Sequence, residues 1–377
     1  MEVERDIAGI TIPFVAGVAA VIFSGGILLV RPGLTSISAY AIVLVAVCLL
    51  LHPVHHRFKP AHIRVMTGLC LMACGVLCGI SSEMISIGKL PGGSFIKSLE
   101  SSGAAMSNAI DAVNFRSPVT NAIIKALIIG DKTDIPPHIT EAFRESGASH
   151  ILALSGLHLG IIYGIIVKLS SFIGNSPSAR LFRSVMTIST CGIYTLAVGA
   201  GPSIVRAFLF ILLGETALIT GRFRSACSIL MASLLIHLVI APDSLSEISF
   251  QLSYAAMTGI AFIFPTLRSL WPETAGNQAG RPGDKRPHPI RWIWETAALS
   301  ISCQITTGPL AYIYFGTFPT HFLLTNLIAL PLIGLIIPSA LATLCLSTLG
   351  ICPEIVSRAT EVLVTTLSEA LEIISEM

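Results

Sequence analysis

The sequence predicts an all-α, polytopic helical membrane protein with about ten spans, re-entrant or broken helices, and a C-terminal amphipathic helix. Three observations carry that expectation. Of the 377 residues, 53% are hydrophobic and only 12% are charged, about half the charge of an ordinary soluble domain. Mean hydropathy is +0.81, so this chain needs a solvent other than water for its side chains. The apolar residues also come in runs of roughly 20, the length a helix needs to cross a bilayer. A net charge of +2 neither favours nor excludes a polyanionic partner.

Taken in order, the runs lie near 7–30, 36–51, 63–80, 150–173, 181–200, 202–221, 225–241, 247–268, 293–315 and 321–350. The first is too long for the core of a signal peptide and has no basic flank, so it reads as a retained span. The last contains Pro331 and Pro338 and is expected to be broken or split into two half-helices. Arg57, Lys59 and Arg64, then Lys168, Arg180 and Arg183, then Arg222 and Arg224, then Arg268, Arg281, Lys285, Arg286 and Arg291 fall in alternate connections. The intervening turns at 199–202 and 242–247 have neither Lys nor Arg. The positive-inside rule then places the basic connections in the cytoplasm and residues 81–149 on the outer side.

Four regions follow. Residues 1–80 form a three-span N-terminal region. Cys70, Cys74 and Cys78 share one helical face there, which fits small-residue helix packing better than a metal site. His52, His55, His56 and His62 sit without a carboxylate or thiol in a connection, a pattern of solvated residues rather than ligands. Residues 81–119 are a short outer segment with one amphipathic helix near 94–114. Residues 120–352 start with "TNAIIKALIIG", too short to span and so re-entrant or interfacial. In "TDIPPHITEAFRESGAS", Thr133 or Asp134 is expected to cap a helix that stops at Gly147. Residues 353–377 form an amphipathic helix with five Glu and one Arg. Its acidity suits packing on the protein or a partner better than an anionic leaflet.

Polar residues within apolar runs mark the candidate site, because each costs free energy in hydrocarbon. "SHILALSGLHLG" places His150, Ser155 and His158 beside Gly156 and Gly160; on a continuous helix the two histidines border one cavity. Arg206 follows the turn at Pro202. Gln251 lies on a polar stripe with Glu247, Tyr254 and Thr258, and Ser253 on the stripe beside it. That pattern fits hydrogen bonding between helices as well as a transport path. Gln304, Thr306 and Thr307 precede Pro309, and Asn326 precedes Pro331; Pro202, Pro309 and Pro331 are the expected helix breaks. Ser155 and His158 have no nearby acid, which weakens a hydrolase reading. No Walker A or HExxH motif occurs. No catalytic residue, metal or cofactor is expected.

The segments "ALIIGDK", "FRESGASHILALSGLHLG", "GPSIVRAF", "SFQLSYAAMTGI", "TTGPLAYIYFGTFP" and "TNLIALPL" resemble, in order and spacing, the membrane competence domain of the ComEC family. The resemblance covers residues 120–340. It implies an inner-membrane channel that passes single-stranded DNA into the bacterial cytoplasm during transformation. A strand crossing hydrocarbon needs a wet groove, and the residues within the apolar runs expected to line or bind along it are His150, Ser155, Gly156, His158, Arg206, Gln251, Ser253, Gln304 and Asn326. Fuller members of that family resemble a three-part protein with an OB-type and a metallo-β-lactamase-like domain. Residues 81–119 are too few for an OB barrel, and no HxHxDH motif occurs. DNA-receptor, nuclease-like and motor proteins are therefore expected as partners, together with the lipid bilayer. Residues 81–149 carry six basic and seven acidic side chains, which is no funnel for a polyanion. A transporter of a small anion or envelope precursor, or a non-transporting scaffold, stand as alternatives.

Overall fold

A computed structural model describes residues 2–23, 68–69, 71–76, 78–79, 94–113, 115–174, 176–221, 225–271, 289–316, 320–351 and 354–377. The expected span at 36–51, the histidine cluster at 52–62 and most of the basic connections at 51–64 and 272–288 lie outside these residues. All regular structure among the described residues is helical. The helices are α1 (Glu2–Phe23), α2 (Ser94–Asp111), α3 (Pro118–Ile128), α4 (Pro137–Glu145), α5 (Ser149–Leu152), α6 (Gly156–Ser170) and α7 (Pro177–Ala197). They continue with α8 (Pro202–Ile219), α9 (Ala226–Ile240), α10 (Ile248–Thr258), α11 (Phe264–Ser269), α12 (Pro289–Phe315), α13 (Phe322–Thr348) and α14 (Glu354–Ser375).

Among the described residues, four helical segments are long and apolar enough to cross a membrane: Gly156–Ile173, Pro202–Thr220, Ile248–Ser269 and Phe322–Thr348. The apolar helices at 7–23 and 226–240 are shorter. At 1.5 Å per residue, the 15 residues of α9 rise about 22 Å, less than the ~30 Å hydrocarbon core.

The chain divides into two compact units, Met1–Gly93 with Leu209–Tyr254, and Ser94–Phe208 with Ala255–Met377. In the first, α1 packs along α9. It also crosses the helical stretch at 71–76 so closely that a β-carbon on Gly17 would stand 2.0 Å from the Met72 carbonyl oxygen. A β-carbon on Gly75 would stand 2.1 Å from the Phe14 oxygen. Paired glycines let two backbones touch where lipid supplies no hydrophobic drive between helices. His237, Phe250 and Tyr254 form a cluster of edge-on and tilted rings, with centroids 4.6–6.1 Å apart.

The second unit is built on α13 and α14, two helices packed side by side with their buried faces in one core. Ile333, Ile336, Ile337 and Ala340 of α13 meet Val364, Leu367 and Leu371 of α14, and Phe143 of α4 joins them. Near the hairpin end, the Thr343 and Thr360 hydroxyls bond to each other at 3.1 Å. The short helix α3 is sheathed along its length from Thr120 to Ile128, as a re-entrant segment requires. Even Lys125 is buried, its ammonium 2.8 Å from Asp111 and 3.0 Å from Asp134. The hydrogen bonds the ammonium donates to these two carboxylates hold it above its ordinary pKa.

Three expectations are corrected here. Neither Thr133 nor Asp134 caps α4, whose N-cap is Pro136 with no side-chain bond. Asp134 is engaged by Lys125, and the Thr133 hydroxyl donates to Asp131 at 2.6 Å. The stop at Gly147 does occur, with φ +80. Second, Pro331 and Pro338 do not break α13, which runs unbroken over 27 residues. Ala329 and Ile333 on either side of Pro331 are fully buried, so packing holds the helix across the lost hydrogen bond. Third, Pro309 likewise lies inside the continuous α12, where the Thr306 and Thr307 hydroxyls each donate to the Cys303 carbonyl at 2.9 Å.

Candidate functional site

The stretch 149–160 is not one helix. It forms the single turn α5, leaves helical geometry at Ala153 (φ −83, ψ 131), and restarts at α6 with Ser155 as N-cap. Sequence periodicity cannot show this break, because every residue from Ile151 to Leu154 is compatible with a helix. Ser155 and His158 form a capping box. The Leu157 N–H donates to Ser155 Oγ at 3.3 Å, and the Ser155 N–H donates to His158 Nδ1 at 3.2 Å. Ser155 Oγ itself lies 3.0 Å from the same Nδ1. The serine–histidine pairing thus satisfies free N–H groups at a helix start. Nδ1 receives these donors, so the neutral ring carries its proton on Nε2. That Nε2 is buried and has no hydrogen-bond partner among the described residues.

Ser155→Ala is accordingly expected to destabilise α6 by about 1 kcal/mol, read as a lower midpoint for thermal unfolding in detergent. An unchanged midpoint would contradict the capping role.

The other expected residues gather around this helix start. His150 donates from Nδ1 to the Gly147 carbonyl at 3.1 Å and lies beside the Asn326 amide. His150 and His158 lie within electrostatic reach of each other. Arg206 is placed by a tight turn in which Gly199 and Ala200 both have positive φ (+88 and +49), after which Pro202 opens α8. Its guanidinium is buried at 7% exposure. It packs onto Gly156 so closely that a β-carbon there would stand 3.0 Å from it. Gly160, expected to admit a neighbour as well, faces open space. Arg206 also lies within electrostatic reach of Cys303, the neighbour of Gln304 in α12. Gln304 Nε2 and Asn326 Oδ1 are buried without a hydrogen-bond partner. Gln304 and Pro309 line a groove of about 370 Å³ with Ile301, Ile305 and Phe322.

Electrostatically, this arrangement is one-sided. The N-terminus of α6 presents the positive end of a helix dipole, and a fixed cation lies against it. His158 Nε2–H and the Gln304 amide are donors. Such a site favours an anion or a water-bound path over a cation.

Gln251 and Ser253 lie in the other compact unit. The Gln251 amide donates to the Leu245 carbonyl at 2.9 Å, closing the turn that precedes α10. Ser253 is buried in the same helix. Two contacts escaped sequence reasoning. Tyr194 donates its hydroxyl to the Ile128 carbonyl at 2.6 Å, tying the end of α3 to α7. Gly259 opens a π-helical turn, Gly259–Ile263, against α12; a β-carbon on it would stand 2.2 Å from the Ser302 oxygen. The glycine in "SYAAMTGI" is the available signal, but a single glycine in an apolar run does not say what approaches it.

A family described as "Competence protein" matches residues 127–377. The chain is 33% identical over 141 residues to "ComE operon protein 3" of Bacillus subtilis (strain 168), covering 37% of this chain and 17% of that protein. It is 22% identical over 229 residues to "Uncharacterized protein YcaI" of Escherichia coli (strain K12), covering 59% of this chain and 29% of that protein. The matches thus span less than a third of either relative's length. No solved structure matches.

Proposed function

Since the chain belongs to the competence protein family, we propose that it acts in DNA uptake during transformation, as a channel that passes single-stranded DNA across the bacterial inner membrane. The observation that carries this reading is the set of buried polar groups with no hydrogen-bond partner among the described residues, His158 Nε2, Gln304 Nε2 and Asn326 Oδ1, gathered near the buried Arg206. Groups of this kind are costly in an apolar interior unless they meet water or a polar cargo. Donors beside a fixed cation suit phosphate oxygens in a wet groove. The histidines serve as donors and positioning groups, and the outer-side placement of residues 81–149 follows from the alternation of basic connections.

In this proposal a DNA receptor, a nuclease-like activity and a motor cooperate with the channel. The test is transformation and fluorescent-DNA uptake in a deletion strain. Uptake into the cytoplasm is expected to vanish and to return with the intact gene. Normal cytoplasmic uptake without the protein would refute the channel and favour a scaffold or a small-anion transporter.

A further inference from the structure

Residues 94–149, expected on the outer side, touch α13 near both of its ends, and α13 is the longest segment able to cross a membrane among the described residues. At its start, the Thr325 hydroxyl donates to the Ser146 carbonyl at 2.6 Å. Toward its end, Thr343 meets Thr360 of α14 at 3.1 Å. The next residue, Glu361, accepts the Ser117 N–H at 2.8 Å. Thr325 and Thr343 are separated by a rise of about 27 Å on a continuous helix, against ~30 Å of hydrocarbon. Arg116 reaches further still, pairing at 3.2 Å with Glu354, the first residue of α14 after the end of α13.

Two antiparallel arms make this connection. The first, α2, passes the end of α7, where a β-carbon on Gly103 would stand 3.2 Å from the Ala197 oxygen, and it ends at Asp111. The second, α3, starts at Pro118 and ends at Ile128, whose carbonyl accepts the Tyr194 hydroxyl one turn before Ala197. Both arms therefore meet the last turn of α7, next to the turn at 199–202 that is expected outside. Ser117 lies about 15 Å from that level, the rise of α3. Cross-links fasten the arms to each other. The Asn121 amide donates to Asp111 at 2.8 Å, and buried Lys125 joins Asp111 to Asp134. The Arg116 side chain is 68% exposed, and a groove of about 380 Å³ runs from it along the exposed face of α14, past Arg358 and Thr366 to Glu369. Charges beside a span are costly against hydrocarbon, so a groove lined in this way holds water.

We infer that α2 and α3 form a re-entrant hairpin that enters from the outer side, turns between Asp111 and Ser117 in the cytoplasmic half of the membrane, and returns. Its tip and the exposed face of α14 line a water-filled groove open to the cytoplasm. Both ends of the hairpin stay outside, so the number of full crossings is unchanged. The α3 backbone can lie at this depth because the helix is sheathed by protein. The inference rests on the orientation proposed above and not on the passage of DNA.

The test is thiol accessibility in the full chain, in right-side-out and inverted membrane vesicles. Arg116→Cys, Thr366→Cys, Lys132→Cys and Arg291→Cys are made singly and treated with the impermeant cation trimethylammonium-ethyl methanethiosulfonate, with rates taken over those of the parent chain. All four side chains are exposed, and the ion pairs lost with Arg116 and Arg291 are surface pairs that contribute little to folding. Lys132→Cys, in the connection between α3 and α4, is expected to react from outside, and Arg291→Cys from the cytoplasmic side. Arg116→Cys and Thr366→Cys are expected to follow Arg291→Cys, reacting about tenfold or more faster from the cytoplasmic side, since hydrocarbon excludes the charged reagent. Arg116→Cys reacting from the same side as Lys132→Cys would overturn the hairpin. Thr366→Cys inert from both sides would overturn the groove. If Lys132→Cys and Arg291→Cys exchange sides, the orientation falls instead, and Arg116→Cys reacting opposite to Lys132→Cys still supports the hairpin.

Discussion

Gly259→Val is expected to disrupt the second compact unit. The ideal β-carbon position at Gly259 lies 2.2 Å from the Ser302 carbonyl oxygen and 2.7 Å from Thr306 Oγ1. The nearer obstacle is helix backbone, which cannot rotate away as a side chain can. Ser302 is fully buried and donates its hydroxyl to Ala298 at 2.6 Å, so α12 has no slack on this side. Overpacking of this kind costs about 3 kcal/mol, a large share of the total stability of a domain. Thermal unfolding and protease resistance in detergent should both fall clearly. Gly259→Ala should fall in between, since the first added atom already collides. A valine variant as stable as the parent would mean that the π-helical turn at Gly259–Ile263 and α12 do not meet at this glycine.

Arg206→Ala is expected to insert and fold yet lose DNA uptake by about two orders of magnitude. The size follows from losing one charged contact to a phosphate along the proposed path, about 3 kcal/mol for a buried charge pair, with 1.36 kcal/mol per tenfold in rate. The side chain fills space against Gly156, so alanine also leaves a gap. Arg206→Lys is the control that keeps the charge, and it should retain part of the uptake. Equal loss in the lysine and alanine variants, with protein levels unchanged, would assign the effect to guanidinium geometry rather than charge. Undiminished uptake in the alanine variant would remove Arg206 from the path.

Much of the fold was legible in the sequence for a simple reason. Burial in lipid demands long apolar runs, so helix positions follow from composition alone. The stop at Gly147 was legible too, because only glycine adopts its positive φ cheaply. The break inside 149–160 was not, since Ala153 and Leu154 carry no breaker signal. Nor was the continuity of α13, because proline chemistry predicts a break and only the packing around Ala329 and Ile333 overrules it. In the candidate site, residue types were legible and pairings were not. His150 with Asn326, and Gly156 with Arg206, are separated by 176 and 50 positions, and nothing local records such contacts.

By itself, then, the sequence determined a helical chain in an apolar solvent, the places where polar groups interrupt it, and the order of motifs that marks its family. Each follows from local chemistry, from length, hydropathy and residue type. The tertiary structure alone decided that Ser155 and His158 cap a helix, that Arg206 lies on that helix's N-terminus, and that α13 survives its prolines. It also decided which face of α14 is left uncovered. Those outcomes depend on which helices touch, and the contact energies that choose among pairings are shared between residues far apart in the chain.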